Sequence, residues 1–161
     1  VANSLVPVVA SPTAVAVAED TAVPSIETED ALRATVREAA TLGYSTGPSG
    51  KALAALFERW GLTQEVATKL VVPPPGVPVA QWVAQGRIAL GFQQRSELLG
   101  VPGVQVVGDL PAAVAITTIF SAATASTSSQ PEAVQAWLQF LTQPIHDDLL
   151  QKHGMRRVDQ E

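Results

Sequence analysis

Leu42-Gly43-Tyr44-Ser45-Thr46-Gly47-Pro48-Ser49-Gly50-Lys51-Ala52-Leu53-Ala54-Ala55-Leu56-Phe57-Glu58-Arg59-Trp60-Gly61-Leu62 is the stretch that sets the fold. A short apolar run, residues 42–44, enters a loop of small residues, 45–50. Leu53, Leu56, Phe57 and Trp60 then recur at the spacing of one buried helix face. Gly61 stops that helix. A strand feeding a Ser/Thr/Gly loop that opens a helix presents backbone N–H groups to an anion. No large side chain obstructs the approach. Ser45, Ser49 and Gly50 are therefore the first candidates for ligand contacts.

Two familiar chemistries do not fit this loop. A nucleotide P-loop needs Gly where Ser45 stands and Ser or Thr where Ala52 stands. A nucleophile elbow needs Gly at Lys51, two positions after Ser49. A serine hydrolase also needs a positioned imidazole, and His146 and His153 both read as surface residues of the C-terminal helices. The plain alternative is a strand-to-helix turn capped by Ser49. No catalytic residue is assigned.

Outward from this unit, residues 1–12 are apolar with Pro7 and Pro12 and read as an arm or edge strand. Residues 13–18 read as a strand. Thr28 is a good N-cap, with Glu29 and Asp30 suited to the helix dipole, and the helix runs to about Ala40. A short helix near residues 64–70 precedes the rigid turn Pro73-Pro74-Pro75-Gly76. A helix over 77–85 and a buried strand over 88–92 follow. Residues 94–99 form a helical turn, and 104–107 another strand. Residues 114–123 are β-branched and apolar, which suits a central strand or a segment crossing between lobes. Pro131 opens a helix to Leu141, and a last helix runs to about His153. Strands alternating with helices imply an α/β fold, a mixed sheet flanked by helices.

Composition narrows the function. Hydrophobic residues make up 47% of the 161 positions, enough for a real core, and the formal net charge is −5. No basic stripe argues for nucleic acid. There is no cysteine, so disulfides, zinc–thiolate sites and thiol catalysis are excluded. No HExxH, EF-hand or clustered His/Asp set points to a metal, and no cofactor is expected. No run of about 18 uncharged apolar residues spans a membrane.

Ala89-Leu90-Gly91-Phe92-Gln93-Gln94-Arg95-Ser96-Glu97-Leu98-Leu99, then Pro102-Gly103-Val104 and Gly108-Asp109-Leu110-Pro111, add a second set of motifs. Read with Gly47-Pro48-Ser49-Gly50, they resemble the C-terminal part of a molybdate-type periplasmic substrate-binding protein. That family has the type II solute-binding fold of ABC importers. The resemblance runs from about Thr13 to Met155. It implies two α/β lobes closing on a small oxyanion or carboxylate, held by backbone amides and hydroxyls. Carried over by position, Ser49 with Gly50 matches the helix-start amides, and Gly76 with Val77 a second amide contact. Gln94 stands where molybdate binders use a tyrosine hydroxyl, and a carboxamide donates to a carboxylate or another oxyanion equally well.

The resemblance also implies an organisation and partners. Residues 1–12 are expected as an arm, 13–113 as the second-lobe domain, and 114–161 as a crossing strand with helices returning to the first lobe. The serine-bearing loop and helix with which the family begins are not found before Thr13. The chain therefore reads as the second lobe with its returning helices. The partners implied are a small anionic ligand and the membrane subunits of an ABC importer, in the periplasm. An apolar stripe of Val134, Trp137, Leu138 and Leu141 is expected to be exposed and to drive self-association. Two alternatives stand beside this reading: an isomerase of small polycarboxylates on the same fold, and a ligand-sensing domain of a regulator.

Overall fold

The computed structural model describes residues 5–158. Strand β1 (Val6–Ala18) is the axis of a six-stranded mixed sheet. Its second half pairs antiparallel with β3 (Leu90–Gln94) on one side and β4 (Val104–Asp109) on the other. Its first half pairs antiparallel with β5 (Thr117–Ala122) and β6 (Arg156–Arg157). The expected arm is thus, from Val6 onward, the first half of β1; residues 1–4 lie outside the described residues. It pairs with β5 and β6 of its own chain. The chain passes from one half of the sheet to the other at Thr13, whose N–H donates to the Ile116 carbonyl at 2.7 Å.

Alternation along β1 divides the core. Val15 and Val17 face one layer with Phe92, Leu53 and Phe57, while Ala14 and Ala16 face Ala80 and Leu98. The first layer is covered by α1 (Glu29–Glu38) and α2 (Pro48–Arg59). Thr28 caps α1, accepting from the Ala31 N–H at 3.1 Å. Phe57 packs its ring 5.9 Å from those of Tyr44, Trp60 and Phe92. Truncating a ring so enclosed costs about 3–5 kcal/mol. The other layer holds α4 (Val79–Ala84), which lies close over Gly91, and α5 (Arg95–Leu98).

Strand β2 (Leu42–Tyr44) lies parallel to β3, with Tyr44 opposite Phe92. After α2 and the short α3 (Thr63–Ala67) the chain returns beside β2, where Leu42 bridges Leu70 in parallel. This return carries it to the same carboxyl edge from which α2 began, and α4 starts there on the opposite face. The C-terminal part is looser. In α6 (Pro131–Leu141) only Leu138 is buried, while Trp137 and Phe140 are exposed and stacked at 5.5 Å. α7 (Asp147–Lys152) has no buried residue.

The segment expected as one strand over 114–123 is a 3-10 turn, Ala112–Val114, followed by β5. Pro111 and the carbonyl bonding of that turn shorten the strand at its start, because the Val114 N–H donates to the Pro111 carbonyl.

Candidate functional site at the start of helix α2

Helix α2 begins inside the expected loop, at Pro48, whose fixed φ and missing N–H suit the first helical position. Gly47 is the N-cap and offers no side-chain cap. Ser49 is therefore the second helical residue and not the cap. It is buried, as is Gly50. No protein acceptor meets the Ser49 or Gly50 N–H among the described residues. These are two of the donors that every helix start leaves without an intrahelical partner.

Gly50 is there for a close approach. A Cβ at this position would lie 1.6 Å from the Ser45 carbonyl oxygen and 3.1 Å from the Tyr44 ring. The loop is thus folded tightly against the first turn, and Ser45 contributes its backbone to that contact. Burial pushes the Tyr44 phenol above its ordinary pKa, so it stays protonated.

Gln94 ends β3 at the carboxyl edge of the parallel pair, the side on which open α/β sheets bind ligands. It pairs with Thr13 of β1, shares the face of Phe92, and is 8% exposed. Its Nε2 donates to Thr118 Oγ1 at 3.4 Å, a long bond. Thr13 is fully buried and its Oγ1 has no hydrogen-bond partner. A buried hydroxyl left in that state costs about 1–3 kcal/mol.

The remaining two expected residues behave differently. Gly76 has φ 85°, and the Val77 N–H donates to the Pro74 carbonyl at 3.0 Å. Pro75 and Gly76 are thus the central residues of a turn that needs a positive φ at its third position. The Val77 amide, expected as a ligand donor, is engaged by that turn in this structure. The start of α4 is likewise occupied from within. Ala80 N–H donates to Gln93 Oε1 at 3.3 Å, and Gln93 Nε2 donates to Glu97 Oε2. Gln93 is a helix cap that its sequence position does not reveal.

A groove of about 650 Å³ lies on the other face of β1, lined by Pro12, Arg95, Asp109, Asp147 and Arg157 among others. Its side is fixed by alternation: Pro12 neighbours Thr13, and Asp109 pairs with Ala14. Arg95 and Asp109 form an ion pair of 3.0 Å there. That groove is separate from the α2 start. Among the described residues no group of three or more His, Cys, Asp or Glu could hold a metal ion.

Residues 1–156 match the family of bacterial extracellular solute-binding proteins. The chain belongs to that family. The solved structures that resemble it have the same fold. A substrate-binding domain attributed to a molybdenum ABC transporter of Clostridium difficile superposes with a TM-score of 0.76 at 16% identity, covering 99% of this chain and 69% of that one. The periplasmic molybdate-binding protein of Azotobacter vinelandii superposes with a TM-score of 0.74 at 13% identity, covering 100% and 70%. A periplasmic thiamin-binding protein gives 0.70 at 16% identity, covering 99% and 54%. The α/β sheet with its flanking helices is thus a type II periplasmic-binding-protein lobe, as the motifs led one to expect. In sequence, this solute-binding chain is 36% identical over 146 residues to an aconitate isomerase of a Pseudomonas species, covering 90% of the chain. The chain spans about half, 55%, of that relative's length. Among the described residues, no helix is long and apolar enough to cross a membrane.

Proposed function

We propose that this chain supplies one wall of an interlobe cleft that binds a small carboxylate or oxyanion for an ABC importer outside the cytoplasm. The observation that carries the reading is the α2 start: two buried-residue amides without a protein acceptor among the described residues, at the carboxyl edge of the parallel pair that Gln94 ends. Ser45, Ser49, Gly50 and Gln94 form this wall, and Gly76 shapes the neighbouring turn. The helix dipole adds to the attraction of an anion there. The Gln94 carboxamide donates to a carboxylate or to another oxyanion, and the 36% identity to an aconitate isomerase favours the carboxylate. Closure of a second wall over the anion is the event the membrane subunits would read. Residues 13–113 make the ligand lobe in this reading, and residues 114–161 return to the other lobe.

Half a cleft binds weakly. Each charge-assisted hydrogen bond missing from the opposite wall is worth about 1.5–3 kcal/mol. The experiment is calorimetry on the complete protein and on residues 1–161, with trans-aconitate, citrate, sulfate and molybdate as titrants. The expected result is micromolar or tighter binding of a carboxylate by the complete protein, and loss of about two decades or more for the chain alone. Submicromolar molybdate binding by residues 1–161 would overturn both the ligand class and the half-cleft argument.

The 36% identity to an aconitate isomerase favours a second reading, an isomerase of small polycarboxylates. Moving a proton next to a carboxylate needs a base within hydrogen-bond reach. Ser45, Ser49, Gly50, Gln94, Thr13 and Thr118 include no carboxylate or imidazole, so the base would come from the opposite wall. Conversion of trans-aconitate followed by NMR on the complete protein decides between the two.

A further inference from the structure

Thr13 stands out in this molecule as a fully buried hydroxyl that the structure leaves unused. Its backbone is held from both sides: the N–H donates to Ile116 O at 2.7 Å, and the carbonyl accepts from Leu110 N–H at 3.1 Å. It cannot swing away to find a partner. Its residue partner across the ladder is Gln94, and directly opposed antiparallel residues carry their side chains on one face. Gln94 in turn is held only by the 3.4 Å bond from Nε2 to Thr118 Oγ1, and no donor meets its Oε1 among the described residues. Valine would fill the volume of Thr13 without an unsatisfied polar atom. A native buried polar group without a partner calls for a second state in which it has one.

We infer that Thr13 is a positioning residue for Gln94. When an anion occupies the α2 start, the Gln94 carboxamide turns off Thr118. Its Oε1 then accepts from the Thr13 hydroxyl, and its Nε2 points to the anion beside the Ser49 and Gly50 amides. The inference rests on the carboxylate-binding reading given above. In this scheme Thr118 is the resting partner and Thr13 the working one. Thr13 lies on β1, which runs through both halves of the sheet, and Thr118 on β5 of the first half, so ligand capture is linked to the crossing point at Thr13.

The test is calorimetry of trans-aconitate on the complete protein carrying Thr13→Val, Thr13→Ser, Gln94→Ala, or Thr13→Val with Gln94→Ala, with thermal melts of each. Thr13→Val is expected to lower affinity about tenfold, the loss of one hydrogen bond to an aligned group, with an unchanged or raised melting temperature. Thr13→Ser is expected to restore binding to within about twofold, and the double variant to bind as Gln94→Ala alone. Wild-type affinity in Thr13→Val overturns the inference while leaving the carboxylate site intact. So does an equal loss with and without Gln94, or a loss that Thr13→Ser fails to rescue. A wild-type protein that binds none of the carboxylates removes the site and the inference together.

Discussion

Two helices start at the same edge of this sheet, on opposite faces, and their first turns are treated differently. At α4 the Ala80 N–H is taken by Gln93, which is held in turn by Glu97. At α2 a glycine caps the helix, and the next two amides have no acceptor in the protein. One of these backbone donors is met by a side chain at α4, while two at α2 have no acceptor among the described residues. The difference lies in the side chains that follow one another on β3: Gln93 turns toward α4, and Gln94 toward the α2 face. One residue of strand register separates a structural cap from the proposed binding group.

The sharpest way to break this comparison is Gly50→Ala. A methyl group 1.6 Å from the Ser45 carbonyl forces the loop off the first turn, against backbone that cannot yield as a side chain would. The expected loss is about 3 kcal/mol or more of stability, together with anion binding, read by chemical denaturation and calorimetry. Gln93→Ala should show the opposite pattern. Removing the α4 cap costs about 1–2 kcal/mol, while carboxylate affinity stays within about twofold. A large affinity loss in that variant would mean that the two helix starts are not independent.

A smaller effect reports on the α2 side alone. Burial raises the Tyr44 pKa in the folded state, so the native protein holds the phenolic proton more tightly than the unfolded chain. This contribution is whole below about pH 10, the ordinary tyrosine value, and is lost as pH rises through the raised value. Tyr44→Phe is expected to flatten the alkaline limb of a denaturation series and to leave the neutral region nearly unchanged. Smallest of all is Trp137→Ser on α6, where the residue is 57% exposed. The expected change in stability is within about 0.5 kcal/mol. Light scattering of residues 1–161 is expected to show less self-association in this variant, because an apolar cluster of Trp137 and Phe140 is removed from solvent-facing surface.

The α2 unit was legible in the sequence because everything that makes it is local. Leu53, Leu56, Phe57 and Trp60 announce their face by spacing, while the start at Pro48 falls inside what reads as loop. Thr28 and Pro131 sit where capping rules put them. Residues 1–12 read as an arm or edge strand separate from the strand at 13–18, because Pro7 and Pro12 fit an edge better than a continuous central strand. The structure accommodates them with an irregularity between Pro7 and Val9 and with Pro12 opposite Thr117, where the ladder passes from one half of the sheet to the other. Gln93 capping α4, Val77 closing its own turn and Thr13 lying beside Gln94 depend on contacts the chain makes only once folded. Periodicity carries no trace of them. Gln94 itself was reached through family resemblance, with spacing alone giving just a polar turn after a strand.

The most direct test is an amide NMR titration of the complete protein with trans-aconitate. Saturable shifts of the Ser49 and Gly50 N–H signals and of the Gln94 side-chain amide are expected, with those of Val77 and Ala80 nearly still. Shifts at Val77 and Ala80 with Ser49 and Gly50 unmoved would contradict the account and place the anion at the other helix.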